Sequence, residues 1–307
     1  MSIRGGPPYP GLPEHFLEAA ACREHLEALR WPEGFRCGAC GSSEAWRTAS
    51  GQLLCAGCRR TSSVTGGTIF HGSRVGLPRW FAAAWRVTEG PDGVSALGLR
   101  RELGVGSYET AWAMLHRLRR VMAADSVERL TGTVEVGLLD IGVVERGGDA
   151  LRNGDATVAI AVEARSSGPG RLRLASLDGP SELQLFDFVS RAVDQGATVR
   201  TDGSPVSRRL AAGLRHELHE DADRDALAQA RTMLSSWAAG HLHRGVSDVH
   251  LAYYLDELAF RWNVPSAHAN GARFDRLLFL AVRHDPAPFR ELVGGTSLPR
   301  VPRSAGS

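Results

Sequence analysis

Apolar residues recur at helical spacing in the first part of the chain. One apolar face repeats at i, i+3, i+4, i+7 and i+8. It is formed by Leu77, Trp80, Phe81, Ala84 and Trp85. Two further helices are expected over residues 95–103 and 107–122, because Ser95 and Ser107 are favourable N-caps and a glycine-containing break separates the two segments. The pattern therefore predicts three successive helices.

From residue 130 the pattern changes to short runs of β-branched and apolar residues, which are typical of strands. These runs are residues 132–136, 156–162, 171–175 and 197–203. Helical stretches are predicted at residues 183–192, 205–213, 227–240, 249–262 and 274–282. Three strands, a helix, a fourth strand and further helices suit a ribonuclease-H-like α/β fold.

Four of the five cysteines form two CxxC pairs with 14 residues between them. They are Cys37, Cys40, Cys55 and Cys58. Zn²⁺ prefers four soft ligands in a tetrahedron, and each CxxC turn supplies two thiolates from one tight loop. A redox-active pair is the alternative, but nothing nearby resembles a thioredoxin-type βαβ unit. The spacing predicts a zinc ribbon held by structural Zn²⁺, with Cys22 buried in a separate helix.

Charge is distributed unevenly along the chain. The whole chain has a net charge of +2, and all 36 basic residues are arginine. Residues 34–122 hold 12 arginines and 5 acidic residues, so the remainder is acidic. Arginine suits bidentate phosphate contacts, although its uniform use can equally reflect coding bias. The basic segment is an electrostatic footprint for nucleic acid, or a chance asymmetry between two domains.

The second and third predicted helices, joined by a short glycine-containing turn, have the arrangement of a helix-turn-helix. In that motif the second helix enters the major groove by its N-terminal residues. The candidate base contacts are Ser107, Tyr108, Glu109 and Thr110. The candidate phosphate contacts are Arg117, Arg119 and Arg120, with Arg59 and Arg60 on the ribbon. An ordinary three-helix packing unit and a solvated ribbon surface are the alternatives.

Several motifs considered together point to one family. Besides the cysteines they are Thr65-Gly-Gly-Thr-Ile-Phe70, Gly132-Thr-Val-Glu-Val136, Thr201-Asp-Gly203 and Tyr254-Leu-Asp-Glu-Leu-Ala-Phe-Arg-Trp-Asn263. On these residues the chain resembles the zinc-ribbon insertion-sequence transposases of the ISXO-like type, which are DDE recombinases. The resemblance implies acidic residues that hold two Mg²⁺ ions for attack on DNA phosphodiesters.

The resemblance also implies three metal-holding positions, and only one of them is clearly acidic in this chain. The second position is Asp202, which we expect to retain a residual role. The first falls at Gly137 and Leu138, and the third at Met233. Losing two metal ligands should remove most of the transition-state stabilisation, so we expect the enzyme to be impaired. Mg²⁺ is the expected cofactor if the enzyme is active.

Glu257 and Arg261 are accessory candidates in the same domain. The resemblance implies that this pair flanks the active site, whereas its i, i+4 spacing is equally that of a simple helix-stabilising ion pair. Both interpretations stay open on the sequence.

The expected organisation is a multidomain α/β protein, with a zinc ribbon and a helix-turn-helix before a ribonuclease-H-like α/β domain. Its segments are an N-terminal helical segment (1–33), the zinc ribbon (34–62), the helix-turn-helix region (76–123), the transposase domain (130–283) and a flexible tail (284–307). With no signal peptide and no apolar stretch of about 18 residues, we expect a cytoplasmic, nucleoid-associated protein without a membrane partner.

The expected partner is double-stranded DNA, as insertion-sequence ends and target DNA, and a homo-oligomer is compatible with this. Two alternatives remain. One is a functional transposase whose catalytic carboxylates lie at positions other than those assigned above. The other is a DNA-binding regulator that keeps the core as a structural or oligomerisation domain.

Overall fold

The structure, a computed structural model, describes residues 9, 11–90, 94–126, 128–147, 150–211, 213–218, 226–241, 248–264 and 271–293. The chain forms two compact units. The N-terminal unit combines the described residues of 9–124 with residues 271–293, and the central unit contains the described residues of 125–264. None of the described helices is long and apolar enough to cross a membrane.

The N-terminal unit contains a small antiparallel sheet and six helices among its described residues. The sheet, in the order β1-β2-β3, consists of β1 (Ala45–Arg47), β2 (Leu53–Cys55) and β3 (Thr61–Ser62). The helices are α1 (Ala19–Arg30), α2 (Leu77–Glu89), α3 (Ala96–Leu103), α4 (Tyr108–Ala123), α9 (Ala272–Ala281) and α10 (Phe289–Val293). A short 3₁₀ helix, Glu14–Leu17, precedes α1.

The three successive helices begin where the sequence predicts. The Ser95 hydroxyl accepts a hydrogen bond from the Gly98 amide, and the Ser107 hydroxyl accepts one from the Thr110 amide. Each hydroxyl satisfies an amide that the first helical turn leaves without a partner. Helix α3 ends at Gly104, whose φ of 60° is left-handed and therefore suits glycine.

Helix α9 packs in the N-terminal unit, although the sequence analysis placed it on the transposase core. Its Phe274 ring lies 5.7 Å from the rings of both Phe16 and Phe81, and 5.4 Å from that of Trp85. All but Trp85 are fully buried or nearly so. This aromatic cluster packs α9 against α2 and the 3₁₀ helix, because large aromatic rings contribute most to burial where several of them meet.

Residues 287–293, predicted as part of a flexible tail, also pack in this unit. Ala287 and Leu292 are buried against Ala113 of α4, and α10 lies in this segment. The remainder of the predicted tail, residues 294–307, falls outside the described residues.

Among its described residues, the central unit contains a five-stranded mixed sheet with helices on both faces. Its strands are β4 (Thr133–Gly147), β5 (Ala150–Arg165), β6 (Gly168–Leu177), β7 (Thr198–Thr201) and β8 (Arg215–Leu218). Their order is β6-β5-β4-β7-β8. Strands β4, β5 and β6 form an antiparallel meander, whereas β7 is parallel to β4 and β8 is parallel to β7.

The helices of the central unit are α5 (Glu182–Ala192), α6 (Arg208–Ala211), α7 (Ala226–His241) and α8 (Asp248–Asn263). The predicted helix over residues 205–213 is divided into a 3₁₀ turn, Pro205–Ser207, and the short α6. Strand β8 was not predicted, because its sequence, Arg-His-Glu-Leu, is mostly polar and it lies at the edge of the sheet.

The two faces of the sheet have separate apolar cores. On one face Ile141, Val158 and Leu172 pack with residues of α7 and α8. On the other face Val134 and Val136 pack with residues of α5. Because side chains alternate along a strand, odd-numbered positions near the middle of β4 face α7 and even-numbered positions face α5.

Candidate functional site

The four cysteines predicted to hold zinc meet at one point of the ribbon. Their sulfur atoms all lie within 4.8 Å of one another, and the Sγ–Sγ distances are 3.7 Å between Cys37 and Cys58 and 3.5 Å between Cys40 and Cys55. Thiolates at about 2.3 Å from a tetrahedral Zn²⁺ lie about 3.8 Å apart. The four cysteines therefore fit a structural zinc ribbon.

Backbone amides favour the thiolate at Cys55 and Cys37, whereas at Cys40 the Ser42 amide is outweighed by the neighbouring thiols, which raise its pKa to about 12. The Cys58 amide lowers the pKa of the Cys55 thiol to about 6. Hydrogen bonds from the Ala39 and Cys40 amides lower the pKa of Cys37. Amides that point at the sulfurs stabilise the charged form, which is the form that binds a metal.

The two CxxC turns differ at the residue that follows each pair. After Cys40 this residue is Gly41, with a φ of 74°, and after Cys58 it is Arg59, with a φ of 61°. Among the described residues, Arg59 is the only non-glycine residue in the left-handed region. Its guanidinium lies 5.4 Å from the centre of the Trp46 ring, and Trp46 is 54% exposed. Arg60 is exposed beside it.

The N-terminal turn of α4 is on the surface, but most of the helix is not. Tyr108 and Glu109 are exposed, while Ser107 and Thr110 are half-buried. Residues from Ala111 onward are mostly buried. The predicted base-contacting end of the helix is therefore accessible.

The predicted phosphate contacts on α4 need correction. Arg119 is 2% exposed and Arg120 is 7% exposed. Arg120 pairs with Glu291 at 3.2 Å, and Arg117 donates to the Ala287 carbonyl at 2.9 Å. Arg120 is buried beside residues 287–293, and Arg119 donates to the Val94 carbonyl at 3.4 Å, so neither guanidinium is exposed as the predicted phosphate contact requires.

The central unit places Asp202 directly after the end of β7. Strand β7 is parallel to β4, with Glu135 opposite Arg200. Continuing this register by two residues places Gly137 beside Asp202, on strands about 4.8 Å apart. The first and second family positions are therefore neighbours in the sheet, and Gly137 is the residue on the α7 side.

Arg231 of α7 occupies the space next to these two positions. Its Nη2 lies 3.5 Å from Asp202 Oδ2. A Cβ added to Gly137 would lie 2.5 Å from the same nitrogen and 2.9 Å from Leu227. Although partial burial opposes ionisation, the Ser204 amide and hydroxyl together with Arg231 lower the pKa of Asp202. Asp202 is thus a carboxylate that faces a cation.

Two models of transposase domains match separate parts of the chain. Residues 18–61 match the transposase zinc-ribbon domain, and residues 129–263 match the ISXO2-like transposase domain. A relative from Halobacterium salinarum, named as an uncharacterized protein in transposable element ISH50, is 30% identical over 125 residues. The match covers 39% of this chain and 41% of the relative, so the chain spans about two fifths of that protein's length. No solved structure matches the chain.

The resemblance to zinc-ribbon insertion-sequence transposases is confirmed. The two matched segments contain, respectively, the four cysteines and the Asp202 position.

The described residues around Asp202 in the ISXO2-like domain do not form a ligand set for Mg²⁺. This ion needs a nearly octahedral set of oxygen ligands. Within the described residues, the four cysteines are the only group of three or more His, Cys, Asp or Glu side chains arranged to hold a metal. Met233, at the third family position, packs against the apolar core under α7.

Neighbouring carboxylates are engaged elsewhere in the same domain. Glu135 is 5% exposed and accepts the Leu227 amide at 2.8 Å, close to the start of α7. Asp140 accepts a hydrogen bond from the Thr157 hydroxyl at 2.7 Å. Neither carboxylate replaces the one missing at position 137.

Glu257 and Arg261 form a close pair on α8. Arg261 Nη1 lies 3.7 Å from Glu257 Oε1, and both side chains are largely buried. This geometry fits a helix-stabilising pair and leaves the accessory role a prediction.

Two features of the site were missed in the sequence analysis. Arg100 and Arg101 are exposed on α3, on the same unit as the accessible end of α4. The sequence could have drawn attention to Arg231, because it is the only Arg, Asp or Glu in the predicted helix that became α7. Its relation to Asp202 depends on the register of the sheet, which the sequence does not state.

Proposed function

We propose that this chain is a transposase-family protein that binds insertion-sequence DNA and whose DDE-type centre is impaired. The observation that carries the impairment is the arrangement around Asp202, where a glycine and an arginine stand in place of further carboxylates. Within the part of the chain that the structure describes, no group of three or more His, Cys, Asp or Glu side chains forms at Asp202, so two divalent ions lack the ligands that two-metal phosphodiester chemistry requires.

The strand order supports a ribonuclease-H-like assignment for the central unit. Three antiparallel strands are followed by two strands parallel to the first, with helices on both faces. Asp202 follows the fourth strand of this sheet and neighbours the first. The proposal of a ribonuclease-H-like DDE domain rests on these two features.

The proposed DNA surface combines the ribbon with the start of α4. Ser107, Tyr108 and Thr110 would approach bases from the helix-turn-helix formed by α3 and α4. The proposed phosphate contacts are Arg59, Arg60, Arg100, Arg101 and the half-buried Arg117. We propose double-stranded element ends and target DNA as partners in the nucleoid, and we leave Arg119 and Arg120 out.

A second candidate function is a DNA-binding regulator derived from a transposase. It is favoured by the completeness of the fold around the altered centre, since apolar cores cover both faces of the sheet. Such a core can serve as a structural or oligomerisation domain without cutting DNA, and the domain boundaries given above apply to either function.

The test is a binding and cleavage assay on duplexes that carry the ends of the element encoding this chain. The full-length protein should shift these duplexes more strongly than unrelated DNA, and should neither nick nor join them with Mg²⁺ or Mn²⁺. Metal-dependent cutting that Asp202→Ala abolishes would show that the centre is active. Failure to bind either duplex would remove the DNA-binding proposal itself.

The regulator is tested separately with duplexes from the element's own promoter region. Preferential binding there rather than at the ends would favour it. Tyr108→Ala should weaken either interaction, whereas Leu183→Ala, at an exposed apolar position on α5, should not.

A further inference from the structure

The Asp202 centre contains an organic cation close to where the family resemblance places divalent ions. The Arg231 guanidinium lies 3.5 Å from Asp202 Oδ2 and within 2.5 Å of the position that a Cβ on Gly137 would take. The absence of a side chain at residue 137 is what leaves room for the arginine. Glycine here and arginine on α7 are therefore complementary.

The sequence of α7 shows that the centre differs from the family pattern in charge as well as in the space that the side chains fill. Helix α7 contains no Asp or Glu, and Arg231 is its only Arg. Whichever residue of α7 corresponds to the third family position, that position is not acidic. The side of the centre formed by α7 is thus positive instead of negative.

A fixed guanidinium at this distance opposes the binding of a divalent cation. A like charge disfavours a second cation nearby, and it already neutralises the carboxylate that would hold the metal. The same group is well suited to a phosphodiester, because its planar donors match phosphate oxygens. The Arg231 side chain is 31% exposed and the Asp202 side chain 46%, so a ligand can reach both from solvent.

We propose that Arg231 substitutes for the divalent metal at this centre and holds a backbone phosphate of DNA directly. The inference rests on the DNA-binding function proposed above. It adds that Gly137 and Arg231 together keep divalent metal out of the Asp202 centre, and that the contact of this centre with DNA needs no divalent ion.

Metal exclusion is tested with Mn²⁺ and the zinc-loaded full-length protein, by electron paramagnetic resonance of the free ion. The wild type and Asp202→Asn should bind equal numbers of Mn²⁺ ions. The double variant Gly137→Asp, Arg231→Ala should gain one site, and adding Asp202→Asn should remove it. A wild-type Mn²⁺ site that disappears in Asp202→Asn would overturn metal exclusion, and so would the absence of a gained site in a folded double variant.

Phosphate contact is tested by fluorescence anisotropy with the zinc-loaded protein and a duplex of an element end, in buffer without added Mg²⁺ or Mn²⁺. Arg231→Gln should weaken binding about three- to tenfold, and should reduce the slope of log affinity against log salt by about one. The matched control is Arg191→Gln on α5. Arg191 is also paired with an aspartate, Asp187, in the same unit, and its loss should leave affinity within about twofold.

A second variant separates direct contact from net charge. Arg231→Gln combined with Asp202→Asn leaves the net charge of the pair unchanged. If the arginine contacts phosphate, this double variant should remain weak. Recovery of wild-type affinity would overturn the contact.

The failure of this inference can be distinguished from failure of the proposed function. A zinc-loaded wild type that does not bind DNA without Mg²⁺ or Mn²⁺ would overturn the phosphate contact, while the Mn²⁺ experiment would still decide metal exclusion. Normal DNA binding by Arg231→Gln would overturn only the contact at Arg231.

Discussion

The zinc ribbon and the Asp202 centre are the two places where the transposase resemblance implies metal ions, and they differ in how complete they are. At the ribbon four sulfurs lie within 4.8 Å of one another. At the centre one carboxylate faces a glycine and an arginine. The difference indicates that the fold depends on the metal site of the ribbon and does not depend on a metal at the Asp202 centre.

The physical reason lies in what supports each region. The ribbon has three strands of two or three residues, and within them only Cys55 is buried. Such a module depends on its metal for folding. The sheet of the central unit is covered by apolar cores on both faces. It can therefore lose metal ligands without losing its structure.

The largest effect is expected from removing a zinc ligand. Cys55→Ser should abolish binding of one Zn²⁺ per chain and unfold the ribbon, because a structural site contributes its binding energy directly to folding. Zinc content by atomic absorption and amide signals of residues 34–62 by NMR would measure both effects.

The matched control for that change is the fifth cysteine. Cys22 is fully buried, its thiol donates to the Phe16 carbonyl, and burial raises its pKa to about 12. Cys22→Ala should therefore keep the full zinc content. Zinc retained by Cys55→Ser, or lost in Cys22→Ala, would contradict this assignment.

The next largest effect concerns a buried carboxylate on β5 of the central unit. Glu163 is 2% exposed and accepts hydrogen bonds from Arg171, Arg165 and the Thr131 amide. Burial opposes its ionisation, but these bonds outweigh burial and lower its pKa to about 2. Glu163→Gln should reduce the free energy of unfolding by about 3 kcal/mol, because it leaves buried donors without their charged partner.

The sign of the pH dependence follows from the lowered pKa. The stabilisation from Glu163 is complete above its unfolded value, close to 4.5, and is lost as the pH falls towards 2. Urea unfolding at several pH values would therefore show a smaller acid loss in Glu163→Gln. Glu217→Gln, which breaks an exposed pair with Arg200, should cost less than about 1 kcal/mol.

Local signals in the sequence predicted most elements on both sides of the comparison. The apolar period and the caps at Ser95 and Ser107 located the three helices, and cysteine spacing located the zinc ligands. Long-range contacts were not available from such signals. The period shows that α4 has a buried face but does not show that residues 287–293 cover it.

This limit explains the error about the arginines of α4. A basic residue is ordinarily expected at the surface, and the sequence does not reveal the pairing of Arg120 with Glu291, 171 residues away. In the central unit, the exchange of glycine for a carboxylate was visible from the family pattern. The arginine that fills the space became visible only with the register of β4 and β7.

A smaller effect tests that filled space in the fold itself. Gly137→Val places a side chain against Arg231 and Leu227, and should lower the free energy of unfolding by about 1–3 kcal/mol. Gly142→Val on the same strand is the matched control. Nothing lies within 4 Å of a Cβ at residue 142, so a β-branched residue should be neutral or stabilising there. Equal losses in both variants by urea unfolding would mean that the space beside Gly137 is open.

The smallest expected effect concerns the ribbon and separates its folding from its binding. Arg59 adopts the left-handed conformation that Gly41 adopts in the other CxxC turn. Arg59→Gly should keep the zinc content and raise the free energy of unfolding by at most about 1 kcal/mol, because glycine adopts this conformation without steric cost. It should also weaken binding to element DNA, since the exposed guanidinium over Trp46 is lost. DNA affinity is measured by fluorescence anisotropy. Unchanged affinity in Arg59→Gly would contradict a DNA contact at Arg59 and leave the contact with Trp46 as its role.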